Sequence, residues 1–168
     1  MNTTSKAWLV SVLAAAAVCW ASTLAAQDKD AVAKAALSAR TSLARGLAAS
    51  ASHGPAISAK FEMDEGKLQL SVYTMKAGKF FEVSVDPNSG RVVKAEPIAE
   101  GEDYTAAQSQ SAAMAKAKVS LRAAVATALR GNAGFRAVSV TPSLKDGRPV
   151  AEVALAKGEE VKTVSVPL

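Results

Sequence analysis

From Ile57 the chain alternates apolar and polar residues: Ile57, Ala59, Phe61 and Met63 interleave with Ser58, Lys60, Glu62 and Asp64. A period of two predicts a strand with one apolar and one wet face. Asp64-Glu-Gly-Lys67 predicts a hairpin turn, and Leu68, Leu70 and Val72 continue the apolar row beyond it. Lys76-Ala-Gly-Lys79 turns the chain again, and Phe81, Val83 and Val85 form a third row. Upstream the period is different. Val32, Ala36, Ala39, Leu43 and Leu47 recur at spacings of three and four, one face of a helix that dissolves at Ser50-Ala-Ser-His-Gly-Pro55.

The same order then returns. Met114, Ala117, Leu121, Val125 and Ala128 predict a second helix, with Gly131-Asn-Ala-Gly134 supplying a left-handed cap at its end. Val138 and Val140, then Ala151, Val153 and Leu155, then Val164 and Val166 predict three more strands. The landmarks repeat in register: Val83-Ser-Val85 and Val164-Ser-Val166 lie 81 residues apart, as do Gly66 and Gly147. Gly78 and Gly158 lie 80 apart, and Thr41-Ser-Leu43 corresponds to Val119-Ser-Leu121. The pattern therefore predicts an α+β protein of two tandem repeats, each a helix packed on a three-stranded antiparallel sheet. The expected boundaries are 27–98 and 105–168. An acidic linker, 99–104, joins them and supplies Asp103 or Thr105 as the cap of the second helix.

Before the first helix stands a segment of another kind. Lys6 is the sole charge ahead of Asp28, and Ala7 to Ala26 is uncharged and rich in Ala, Val and Leu. A cationic start, an apolar middle and a small-residue end predict a secretory signal peptide, 1–26, cleaved near Ala25 or Ala26. An uncleaved anchor is the competing reading, since twenty apolar residues just span a bilayer. Cys19 follows Val18 rather than the small residue a lipoprotein signal wants, so it reads as an apolar residue of the signal.

Composition narrows the chemistry. Aromatics are 5% of the chain, so a core must be assembled from Ala, Val and Leu. One His and one Cys among 168 residues count against a Cys/His hydrolase, a structural zinc site or a disulfide framework. His53 precedes Gly54-Pro55 and reads as an ordinary loop residue. No Gly-x-Ser-x-Gly elbow, phosphate loop or dinucleotide fingerprint occurs. The expectation is no catalytic residue, no metal and no cofactor. Of the net charge of +5, residues 105–168 hold nine basic against four acidic residues, while Glu100, Glu102 and Asp103 make 99–104 acidic. The basic half could lean on anionic lipid headgroups or an acidic partner. Dispersed basic residues and few aromatics argue against a nucleic-acid partner.

The first repeat closes with Glu82-Val-Ser-Val-Asp86-Pro-Asn-Ser-Gly90-Arg-Val92. An alternating strand that ends in Asp, with Gly four residues on and an aliphatic residue soon after, resembles the signature of the PepSY module. Residues 28–98 carry the likeness, and 105–168 share it only through the repeat, as a degenerate copy that stops before any Asp–Gly turn. The residues themselves suggest a structural turn: Asp86 accepts backbone N–H bonds, Pro87 presets φ, and Gly90 reverses the chain. A calcium loop there would lack most of its oxygen ligands. The resemblance implies a non-catalytic, secreted or periplasmic binding module that restrains a peptidase or binds an envelope protein. The alternative is a structural or sensory envelope component that binds a small ligand or metal between its two units.

Overall fold

The computed structural model describes residues 30–168; the expected signal segment, 1–26, lies outside them. Among the described residues the fold is α+β, with four helices and a seven-stranded antiparallel sheet. In chain order come α1 (30–38), α2 (Leu43–Ala49), β1 (Ala56–Asp64), β2 (Lys67–Lys76), β3 (Lys79–Val85) and β4 (Val92–Ile98). Then follow α3 (Gly101–Met114), α4 (Leu121–Arg130), β5 (Arg136–Lys145), β6 (Arg148–Lys157) and β7 (Glu160–Pro167).

Three features depart from the sequence pattern. The strands do not form two three-stranded sheets. They form one sheet, ordered β4-β3-β2-β1-β5-β6-β7, and its first half has four strands. The extra strand, β4, contains Pro97, a residue that reads as a linker signal; it is tolerated because β4 is an edge. Each single helical pattern is also split in two. Ser42 and Ser120 interrupt the stripes as N-caps, their hydroxyls accepting from Arg45 N and Ala123 N at 3.2 Å each. Finally, Gly101 to Tyr104 is the first turn of α3, whose N-cap is Glu100 rather than Asp103 or Thr105. At the end of α4 the cap residue Gly131 is right-handed, and the positive φ falls at Gly134.

Strands β1–β3 and β5–β7 match residue for residue in their pairings. Leu70↔Val85 and Val72↔Val83 pair across β2–β3, and Ala151↔Val166 and Val153↔Val164 pair 81 positions later across β6–β7. Register shifts interrupt β1 between Ala56 and Ser58 and β5 between Ala137 and Ser139, also 81 apart. The bulge in β1 sends Ile57 out of the row it shares in sequence with Ala59 and Phe61, into a separate cluster with Tyr73, Phe80 and Ala107. Where the halves meet, Ala59 pairs with Val140, its own counterpart, and Lys60 pairs with Ser139. The junction therefore resembles a two-fold interface within one chain.

One main core covers both halves. Leu43, Leu47, Leu70, Val72 and Val83 from the first half join Leu121, Val125, Val140, Val153 and Leu155 from the second. Helices α2 and α4 lie side by side on this face. Gly46 is what brings α2 close, because a Cβ there would overlap the Leu70 side chain. Helix α3 takes the other face: Ala107 packs on Ile57, Tyr73 and Phe80, residues out of phase with Val72 and Val83 on the same strands. It reaches from β3, where Tyr104 meets Phe80 edge-on, across to β6. Fourteen residues extend about 21 Å as a helix, and four strand spacings from β3 to β6 make about 19 Å. The helix is long enough to strap both halves together.

A half of about 70 residues without a disulfide is a marginal folding unit. The shared core and the strap predict that a fragment of residues 105–168 unfolds at a much lower denaturant midpoint than residues 27–168. Chelation by EDTA should leave the longer chain's midpoint unchanged. Equal midpoints, followed by circular dichroism, would show that the halves do not depend on each other.

Candidate functional site

Because α3 crosses only one end of its face of the sheet, the rest of that face over β1–β4 stays open. It forms a groove of about 690 Å³ whose lining includes Lys60, Glu62, Gln69, Glu82, Lys94 and Asp103. Alternation explains its polarity: on β1 to β3 the residues between the core positions are Lys60 and Glu62, Gln69 and Ser71, and Glu82 and Ser84. Cross-strand pairing sets Lys60 beside Ser71, Ser71 beside Ser84, and Glu82 beside Glu96.

Ser71 is the hub. Its hydroxyl lies against Glu62 Oε1 and against Glu82 Oε1, 2.7 Å away, and accepts from Gln69 Nε2 at 2.9 Å. Gln69 Nε2 also reaches Glu62 Oε1 at 3.2 Å, and Lys60 Nζ pairs with Glu62 Oε2 at 2.7 Å. Burial pushes the Glu62 carboxyl up, but hydrogen bonds from Lys60, Ser71 and Gln69 outweigh it and hold Glu62 below its ordinary value. A hydroxyl has one proton, so Ser71 can donate to only one of its two carboxylates. At the α3 end, Tyr73 donates to Asp103 Oδ1 at 2.7 Å and lies 5.9 Å from Lys60 Nζ across its ring. Burial, that hydrogen bond and the neighbouring carboxylates Glu82, Asp103 and Glu62 all push the Tyr73 phenol up, so it stays a neutral donor.

Asp86 and Gly90 stand at the edge of this face, in the turn between β3 and β4. Asp86 Oδ1 accepts from Asn88 N at 3.1 Å and Ser89 N at 2.6 Å, and Gly90 N donates to Asp86 O at 2.9 Å. The backbone N–H of Ser89, then its hydroxyl and the Asn88 N–H, hold the Asp86 carboxyl below its ordinary value. Gly90 has φ 70, and a Cβ on it would stand 2.5 Å from Arg45 Nε and 3.1 Å from Thr41 Oγ1. The turn grips the start of α2: Thr41 N donates to Pro87 O at 2.8 Å, and Arg45 Nη2 reaches Ser89 O at 3.5 Å. Arg136 of β5 donates to Thr41 O at 2.5 Å, which carries the contact into the second half. Pattern reading singles out Asp86 and Gly90 and not Thr41, Arg45 and Arg136, because no local period links residues 44 to 95 positions apart.

The other residues considered in the sequence lie apart from this face or take plain roles. His53 closes a 3₁₀ turn, Ser50–His53, and its carbonyl accepts from Thr74 Oγ1 at 3.1 Å. Glu102 lies in the first turn of α3 with Asp103. Among the described residues no group of three or more His, Cys, Asp or Glu side chains is placed to hold a metal ion. No described helix is long and apolar enough to cross a membrane. At the junction of the halves, a cavity of about 100 Å³ under α3 is lined by Ser58, Lys60, Tyr73, Asp103, Gln110 and Thr141 among others. That is room for about three waters and falls short of the several hundred Å³ an organic ligand occupies.

The PepSY family profile, described as the peptidase propeptide and YPEB domain, matches residues 10–96. No curated protein matches the chain significantly. Among solved structures, a "putative lipoprotein" of Clostridium difficile 630 aligns over 67% of this chain and 74% of its own, at 13% identity and a TM-score of 0.39.

Two outcomes follow from the turn. Gly90→Val must force a branched side chain into positive φ against Arg45, and should lower stability by more than about 1 kcal/mol in a denaturant titration. Asp86→Asn keeps an acceptor for Ser89 N but loses the charge. The stability owed to Asp86 ionisation is present above an ordinary carboxylate pKa and is lost as pH falls through the depressed folded value. The gap in melting temperature between wild type and Asp86→Asn should therefore be largest at neutral pH and close in acid.

Proposed function

The chain belongs to the peptidase propeptide and YPEB domain family, and from that membership we propose that it is a non-catalytic, extracytoplasmic binding module. Residues 27–98 are read as one PepSY-like module and residues 105–168 as a second, degenerate copy, joined through 99–104. The Asp86–Gly90 turn is its structural anchor, and the open face of β1–β4 is its binding surface for a peptidase or an envelope protein. The family match, over 87 of 168 residues, is the observation that carries the reading. The groove's composition supports it: carboxylates, lysines, an amide and hydroxyls arranged over a broad shallow face suit recognition of another protein's surface. Export through the segment 1–26 fits such a role, since PepSY-like modules are extracytoplasmic units.

Full-length protein expressed with its leader and recovered from the periplasm should begin at Ala26 or Gln27 on N-terminal sequencing. Used as bait in a periplasmic extract, it should retain a specific protein identified by mass spectrometry, with no turnover of peptide substrates by the bait itself. Retention of a small molecule or metal in native mass spectrometry, with no protein captured, would favour the ligand-binding alternative.

A further inference from the structure

The groove's charge is opposite to that of the molecule. Its lining carries seven carboxylates, Glu62, Asp64, Glu65, Glu82, Asp86, Glu96 and Asp103, against the lysines 60, 67 and 94, in a chain of net charge +5. Two of those lysines are already committed, Lys60 to Glu62 and Lys94 to Glu96, at 2.7 Å each. Glu82 gains no such partner: among the described residues no Lys or Arg nitrogen comes within 4 Å of it, nor of Asp64 or Glu65. Its Oε1 shares with Glu62 the single proton of Ser71. The floor thus holds acceptors in excess of the donors around them, a deficit that a bound cation with N–H groups would fill.

The rim adds an apolar element. Val93 is 72% exposed and Met63 44% exposed, and both line the groove. Long basic side chains suit such a surface, laying their methylene stems on apolar atoms and their charged heads on carboxylates. Resting on the reading of this face as a protein-binding surface, we infer that its occupant is a cationic segment of a partner protein, rich in Lys or Arg. The basic residues of such a segment meet Glu82, Asp64 and Glu65. The positive second half, with Lys157 and Lys162 stacked on Phe135, repels the same segment and so orients it toward the groove.

The test uses the full mature protein and fluorescein-labelled deca-lysine in fluorescence anisotropy, with a Gly-Ser decapeptide as the uncharged control. Wild type should bind deca-lysine at least about tenfold more tightly than the control peptide. The triple variant Asp64→Asn/Glu65→Gln/Glu82→Gln should lose at least about tenfold, and Glu159→Gln/Glu160→Gln, which removes two acids outside the groove, should lose nothing. Melting curves of both variants check that the fold survives. No binding by wild type, or equal binding by the triple variant, overturns the inference. Self-association in sedimentation velocity that is abolished by Glu82→Gln also overturns it, by making a second copy the occupant. In the extract, a protein captured equally by wild type and triple variant overturns the cationic segment alone and leaves the binding reading standing. Capture of no protein fails the binding reading itself.

Discussion

The pairing of β1 with β5 is the contact on which the rest of the molecule depends. It contributes only two registered residue pairs, Ala59↔Val140 and Lys60↔Ser139, yet it turns two short meanders into one sheet. Without it each half would present an edge strand and an incomplete core to water. With it, α2 and α4 share one apolar layer, and Val72, Val83, Val140 and Val153 lie in the same cluster. Arg136, donating to Thr41 O, adds a polar tie across the same junction.

The near-symmetry of the sheet is broken by the helices, and the break creates the groove. Helix α1 contributes Ala33 and Ala36 to the main core. Helix α3 leaves the β4 edge and crosses the opposite face, burying only Ala107 and Ala113 along its length. Tyr73 and Tyr104 hold it there, one by a hydrogen bond to Asp103 and the other edge-on against Phe80. The strap covers one end of the face and leaves the remainder, lined by Lys60, Glu82 and Lys94 among others, open to solvent.

Charge is distributed along the same division. The second half is basic, and the groove of the first half is acidic. Its carboxylates are held by partners of unequal strength, Glu62 by a lysine, an amide and a hydroxyl, Glu82 by a shared hydroxyl alone. Such a dipolar molecule orients a charged partner before contact, whatever its net charge.

Much of this was already written in the chain. Alternation at Ile57–Met63 and its echoes fixed six strands, because a half-buried strand must alternate to hide one face. The 81-residue spacing suggested two related halves, and Asp86 with Gly90 suggested a turn, because only local backbone chemistry is needed to make one. The tertiary structure decided what those local rules leave open. It chose one sheet over two, since edge pairing of β1 with β5 depends on main-chain groups that every sequence carries alike. It made Val92–Ile98 a strand despite Pro97, since an edge position needs no N–H on one side. It sent α3 to the far face, since a helix that buries alanines carries too weak a stripe to declare its side in advance. The groove is the product of those three choices, and two of the bonds that shape it join distant residues, Ser71 with Glu82 across 11 positions and Tyr73 with Asp103 across 30. A periodic pattern reports which face of its own element a residue occupies; only packing decides which elements share that face.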